Sequence, residues 1–524
     1  MIMKKRYWLY AVFLLVTMTV FFVRDPTIKN ELKYLSIAKE ALANNWFFAF
    51  WNHNEIYPDK PPLYIWLVMG IISFTKTYAM PLLGLFSSLP AIIGCEVMCA
   101  LTKRDLTEEE QLLSCGMLLT TGFFFGAALV VRMDMLMTMF ILLALYFFYE
   151  IAQGASSWQN RIGFYLSIFF AVFTKGPVGI LFPALAVTGF VFRTKQFSII
   201  KELRLRWCFT LLTLLFGLWF LGAYLQGGTE YLYALTVKQT LGRGINSFHH
   251  ARPFYYYSRN IWYTMLPWSL CFLCSFFVFW KERPGETAVG TLLSSAIVLN
   301  FFAMSLFSGK LDIYLLPIYP LVPFYFLLIS KRIPVQKIAR NTLSPVAFVF
   351  VLGLPVAIIS SMLGILPFSI STYNYIALVL AGISGGFGLH CLMRLNYHRG
   401  CWCIVVAMLF VSAGVITEIP KFNQDIGLRV VSDEVRKLKD DNSNVVSFNF
   451  AEIKNMQYYL DVPIRNYENK QQLEEALKDK DVIFLVRKKD LRRYPFLTEE
   501  TKDFFQKWES GRFVLYKEKF VVMR

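Results

Sequence analysis

Charge is scarce in this chain. Asp, Glu, Lys and Arg make up 17% of its 524 residues, while 56% are hydrophobic and the mean hydropathy is +0.47. A soluble domain carries about 25% charged residues, so a water-facing surface over most of the chain is excluded. Cysteine is missing where an oxidising framework would need it. The nine cysteines, Cys95, Cys99, Cys115, Cys208, Cys271, Cys274, Cys391, Cys401 and Cys403, all lie in or beside apolar runs. None falls in a long loop or in the tail, which argues against a disulfide scaffold. Cys271 and Cys274 form a C-x-x-C inside a hydrophobic run and read as packing residues. No small-residue cleavage site follows the first apolar run, which ends at Val23 and leads into Arg24, Asp25 and Pro26. An uncleaved first span is expected, with Lys4, Lys5 and Arg6 in the cytoplasm. Internal repeats, low-complexity segments and nucleic-acid reader motifs are also lacking.

What remains is a succession of long apolar runs. A helix needs about 20 apolar residues to cross the hydrocarbon. Candidate spans are 7–23, 80–101, 112–131, 134–151, 162–192 (broken at Lys175-Gly176-Pro177), 207–225, 260–280, 288–307, 312–330, 343–366, 374–393 and 401–418, with 62–76 a shorter run. About thirteen spans are expected. The net charge of +17 is largely carried by short turns at 193–206, 281–283, 331–340 and 394–399, which orients them to the cytoplasm. Counting outward leaves three segments on the far side: 24–61, 226–259 and everything after 418. Residues 1–420 are thus expected to form the membrane domain. From about 421 the chain becomes charged, with strand-like runs at 444–450, 481–486 and 512–516 and helical patterns at 425–439 and 470–479. Residues 421–524 read as a small α/β domain outside the membrane.

Five polar clusters interrupt the apolar chain. The first external loop holds Asn30-Glu31, the helical run LKYLSIAKEALANN, and Tyr57-Pro58-Asp59-Lys60-Pro61-Pro62 where the chain re-enters the membrane. Arg132-Met133-Asp134 sits between two apolar runs, where opposite charges are costly unless paired or functional. Thr174-Lys175-Gly176-Pro177 breaks another run; its lysine either snorkels to the interface or meets an anion. The loop 226–259 carries Lys238, Arg243, His249, His250 and Arg252, followed by Pro253-Phe254-Tyr255-Tyr256-Tyr257. It suits either an anionic headgroup or a solvated interfacial loop. In Ser308-Gly309-Lys310-Leu311-Asp312-Ile313-Tyr314, Lys310 and Tyr314 share one helical face and are candidates to hold a phosphate. Cations at membrane-entry points, with carboxylates beside two of them, are what transfer from a lipid-linked phosphate requires. The cations offset charge on the leaving phosphate, and a carboxylate takes a proton from an attacking hydroxyl.

The clusters, in order, resemble the bacterial aminoarabinose transferases that modify lipid A and the wider superfamily of protein mannosyltransferase-like enzymes. The matching segments are Asn30-Glu31 with LKYLSIAKEAL, YPDKPPLYIW, RMDM, FTKGPVG, ARPFYYY and SGKLDIYLLPIYP, spread over roughly residues 24–325. The resemblance implies a GT-C fold: an all-α polytopic membrane protein with its active site on the outer face, under a first-loop helix, here with a small α/β tail. It implies an enzyme of the bacterial inner membrane that takes a sugar from polyprenyl (undecaprenyl) phosphate to lipid A or another glycan. The alternatives are a protein O-glycosyltransferase, a non-catalytic transporter of lipid-linked sugars, and a scaffold with decayed catalytic residues. Position by position, it implies that Lys60 and Arg243 contact the phosphate and that Tyr314 corresponds to a site tyrosine of relatives; Lys310, Arg132 and Lys175 join them as substrate-binding candidates from the clusters themselves. No nucleotide or organic cofactor is expected. Asp59 corresponds to a metal ligand of relatives, with His249 or His250 as candidate partners for a divalent ion. Two positions depart from the pattern. Asn30 stands where relatives usually carry the Asp that serves as base, which leaves Glu31 first and Asp134 second as candidate bases. Lys238 stands near the place of a second ligand histidine.

Overall fold

The computed structural model describes residues 2–237, 251–282, 285–365, 370–423, 427–439, 443–460, 462–478, 482–497, 514–515 and 520–523. Among them, eight helices are each long and apolar enough to cross a bilayer, and ten spans result if two bent pairs count as one each. The expected thirteen differs for identifiable reasons. Pro62–Thr75 and Val178–Thr194 are apolar but shorter than a full span, and Glu108–Leu119 bends by 73° into Gly122–Ala128. The run over 162–192 is broken where expected, at Lys175-Gly176-Pro177, into the helices Trp158–Lys175 and Val178–Thr194. They are parted at Gly176, whose φ of +112° suits only glycine.

Local sequence sets the helix ends that matter for function. Pro62 occupies the first turn of Pro62–Thr75, where its missing N–H costs nothing. Asn45, in the left-handed conformation, ends the first-loop helix Glu31–Asn44. That helix lies on the bundle with Leu32, Leu35, Ile37, Ala38 and Ala41 buried. Its partners include Ile65, Val68 and Met69 of Pro62–Thr75 and Leu83 and Leu136 beyond. A short hairpin follows, β1 (Trp51–Asn52) against β2 (Glu55–Ile56). Gln226 fastens this loop to the long helix Leu205–Tyr233: its Oε1 accepts from the N–H groups of Phe47, Phe48 and Ala49 at 2.7–3.0 Å, and its Nε2 donates to the Asn45 carbonyl at 2.8 Å.

The C-terminal segment carries a five-stranded sheet. Its strands are β3 (Asn444–Phe448), β4 (Ile464–Tyr467), β5 (Val482–Arg487), β6 (Val514–Leu515) and β7 (Phe520–Met523), in the order β4-β3-β5-β7-β6. β3 pairs in parallel with β4 and β5, while β7 runs antiparallel to β5 and β6. β5 is buried through Val486, as the run Val-Ile-Phe-Leu-Val requires of a central strand. This segment meets the first loop directly. Lys39 donates to the Tyr458 carbonyl at 3.2 Å, Asn455 donates to the Ile28 carbonyl at 3.2 Å, and Lys29 pairs with Glu452 at 3.1 Å. The pair holds the Glu452 carboxyl below its usual range, against the opposing effect of its partial burial.

Candidate active site

Four of the five polar clusters converge beneath the first-loop helix. Asp134 is the first residue of Asp134–Ala152, and Lys175 is the last of Trp158–Lys175. An anion at a helix start and a cation at a helix end each suit the local dipole, and here they meet. Lys175 Nζ donates to Asp134 Oδ1, and Arg132 Nε donates to Asp134 Oδ2 at 3.0 Å. The Asp134 side chain is 2% exposed and that of Arg132 25%, so the triad opens on the arginine side. Lys175 Nζ also stands over the Tyr314 ring, 4.8 Å from its centre. Lys60 is within electrostatic reach of Asp134, and Tyr314 of Arg132. The first loop, the RMDM turn, the TKGP break and the SGKLDIY segment thus supply one cationic centre around one buried carboxylate.

Glu31 plays a different part. Arg24 holds it by two parallel bonds of 2.6 and 2.7 Å, and the backbone N–H groups of Val131 (2.6 Å) and Thr27 (2.7 Å) complete its acceptors. Each carboxylate oxygen accepts twice, and the residue is 1% exposed. A carboxylate with every lone pair engaged has no site for a substrate proton. This geometry speaks against Glu31 as the first candidate base: Glu31 ties the first span to the first loop and the RMDM turn. Glu31→Gln leaves Arg24 buried without its counter-charge and should cost about 3–5 kcal/mol. Thermal unfolding of the purified variant measures this; an unchanged midpoint with lost transfer would return Glu31 to the chemistry.

Lys310 is also placed otherwise than expected. It is 2% exposed, and its ammonium donates to the carbonyls of Arg252 (3.1 Å) and Phe307. Burial pulls it below the usual lysine range. Around it, Ala251 bridges Gly309, Arg252 N–H donates to Ser308 at 3.1 Å, and Tyr257 donates to the Leu311 carbonyl at 3.2 Å. Lys310 thus fastens the end of the second external loop to the segment bearing Tyr314. Lys310→Met should lower stability by about 1–3 kcal/mol through the orphaned carbonyls, read as a lower midpoint of thermal unfolding. An unchanged midpoint would free Lys310 from this structural role and return it to the phosphate candidates.

Asn30 precedes the first-loop helix without capping it through its side chain. Arg243, His249 and His250 lie outside the described residues, as does Lys238. No group of three or more His, Cys, Asp or Glu side chains able to hold a metal occurs among the described residues. The described donors around Asp59 therefore do not compose a metal site, and no step below uses one. The motifs alone did not single out three residues of the centre. Arg24 is one, and its position just past the first span was the available signal. Tyr34 and Tyr64 are the others, their rings edge to face at 5.7 Å beside the triad. The Tyr64 hydroxyl is fully buried and has no hydrogen-bond partner among the described residues, and burial raises the Tyr34 hydroxyl above its ordinary range.

This arrangement, a helical membrane bundle with a charged centre under a first-loop helix, is that of the GT-C class. The structure matches ArnT from Cupriavidus metallidurans, crystallised with undecaprenyl phosphate and also in the apo state. Each match has a TM-score of 0.75 at 15% identity over 99% of this chain, covering 97% and 98% of the respective ArnT chains. Residues 59–235 match the family model described as dolichyl-phosphate-mannose-protein mannosyltransferase. An uncharacterised protein of Aquifex aeolicus is 30% identical over 56% of this chain and 57% of its own length. The undecaprenyl phosphate-alpha-4-amino-4-deoxy-L-arabinose arabinosyl transferase of Erwinia tasmaniensis is 25% identical over 78% of this chain and 75% of its own length. That of Yersinia pestis is 24% identical over 55% of this chain and 52% of its own length. The chain thus spans about half the length of most of these curated relatives, and three-quarters of one. The chain is thus similar in fold to ArnT and, over residues 59–235, in sequence to the mannosyltransferase family model.

Proposed function

We propose that the chain transfers a sugar from undecaprenyl phosphate to a phosphate group of lipid A, on the outer face of the bacterial inner membrane. The observation that carries this reading is the junction of Arg132, Lys175 and Lys60 around Asp134, with Tyr314 against Lys175. The donor's phosphate would lie against these cations. As the bond between the anomeric carbon and the donor oxygen breaks, its electron pair passes to the phosphate, and the cations offset the charge that appears there. An acceptor oxygen forms the new bond to the anomeric carbon. Direct displacement inverts that centre.

The carboxylates named as candidate bases support a phosphate acceptor. Asn30 is an amide, Glu31 is saturated, and Asp134 is shared between two cations. A hydroxyl acceptor needs one of them as base. A phosphate does not, since its second proton is lost near pH 6 and its oxygen attacks as an anion. This favours a phosphorylated glycolipid over protein Ser or Thr. In this reading the N-terminus is cytoplasmic, and residues 421–524 form a domain on the outer face that covers the first loop.

Mass spectrometry of lipid A, glycan and glycoprotein fractions from cells with and without the gene tests the proposal. A gene-dependent increment of one sugar on lipid A is expected. An increment on glycoprotein alone would replace the acceptor, and none in any fraction, with the protein expressed, would overturn the transfer reading.

A further inference from the structure

A second site lies at the opposite end of the bundle. The helix Ile2–Val23 runs from Lys5 to the Arg24–Glu31 pair, a rise of about 30 Å. At its Lys5 end it forms a cavity of about 730 Å³ with the starts of Glu108–Leu119 and Tyr397–Ile416. The lining is graded. Lys5, Glu109, His398 and Arg399 come from the first turns of these helices. One to three turns further in, the wall is Trp8, Val12, Trp402, Val405 and Leu409. From Arg399 to Leu409 the helix rises about 15 Å, half the thickness of the hydrocarbon. Trp8 is 72% exposed, so the cavity faces the lipid.

We infer that this cavity holds one diacyl phospholipid of the leaflet opposite the reaction, with a phosphate–ammonium headgroup of the phosphatidylethanolamine type. Basic pockets between membrane helices bind lipid phosphates, and three helix starts direct N–H groups to the same end. Lys5 and Arg399 face the phosphate. Glu109 supplies the opposite charge that an ammonium needs. The neighbouring Glu110 is already committed, to Lys331 at 2.9 Å and to the Thr107 cap. The acyl chain lies along Trp8, Trp402 and Leu409. The inference does not depend on the transfer reaction.

Native mass spectrometry of the purified full-length protein in detergent tests it, with palmitoyl-oleoyl phosphatidylethanolamine, phosphatidylglycerol and phosphatidylcholine added in turn. The expected result is one retained phosphatidylethanolamine, preferred over the other two. Lys5→Gln with Arg399→Gln should weaken retention about ten-fold or more, and Lys5→Arg with Arg399→Lys should preserve it. Glu109→Gln should abolish the preference over phosphatidylglycerol. Equal retention of all three lipids by the native chain, undiminished retention in the Lys5→Gln/Arg399→Gln variant, or displacement by equimolar undecaprenyl phosphate would each overturn the inference.

Discussion

Lys60→Ala should slow sugar transfer by about two to three orders of magnitude, the usual cost of removing one fixed group that stabilises charge in the transition state. Lys60 comes just before Pro61 and Pro62, which set the start of Pro62–Thr75. The prolines fix the backbone that carries it, and its charge is within electrostatic reach of Asp134. Other contacts also hold this loop. The first loop is held by Gln226, by the Arg24–Glu31 pair and by Lys39 on Tyr458. The variant should therefore unfold at the native temperature and still pack its first-loop helix. Turnover with a polyprenyl-phosphate sugar, measured beside thermal unfolding, separates the two effects. Lys60→Arg should recover part of the rate, since charge is kept and only the shape of the donor changes. Native turnover in Lys60→Ala would remove Lys60 from the phosphate site and leave Arg132 and Lys175 to hold it.

The clusters were legible because charge inside an apolar chain is expensive and is kept where it is paired or used. Arg132, Asp134 and Lys175 were found this way, and the structure gathers them. Their partners were not legible. Nothing in the spacing of Asp134 and Lys175, 41 positions apart, says that two helix ends meet. The roles of Lys310 and Glu31 are illegible in the sequence for a related reason. A buried lysine can face a ligand or two backbone carbonyls, and a buried glutamate can be a base or a clasp. Only the three-dimensional partners separate these: the carbonyls of Arg252 and Phe307 in one case, Arg24 with two N–H groups in the other. Hydropathy sees an unbroken apolar run where the backbone bends, as between Glu108–Leu119 and Gly122–Ala128. In the tail, β4 went unseen because Ile-Arg-Asn-Tyr is too polar to announce a strand; it is defined by its parallel pairing with β3.

Asp134→Asn carries the second large effect, and its pH dependence separates two roles. As organiser, Asp134 holds Arg132 by Oδ2 and Lys175 by Oδ1. An amide can accept from one of them only, and the other cation moves. A misplacement of about 1 Å is enough to cost about 100-fold in rate, so a loss of that order or greater is expected. As base, Asp134 would cost a similar factor, and the magnitude alone would not discriminate. The acid limb of the rate profile does. With a phosphate acceptor, lowering the pH through about 6 protonates the attacking group, and the rate falls. That limb belongs to the acceptor, so it should persist at the same pH in Asp134→Asn, on a lower plateau. If Asp134 removes a proton from a hydroxyl, the limb belongs to its carboxyl and should vanish in the amide variant. A persisting limb would support the phosphate acceptor and give Asn30 a reason: where the nucleophile comes already ionised, the first loop needs no carboxylate at that position. A vanished limb would restore a hydroxyl acceptor and make Asp134 the base that Asn30 cannot be.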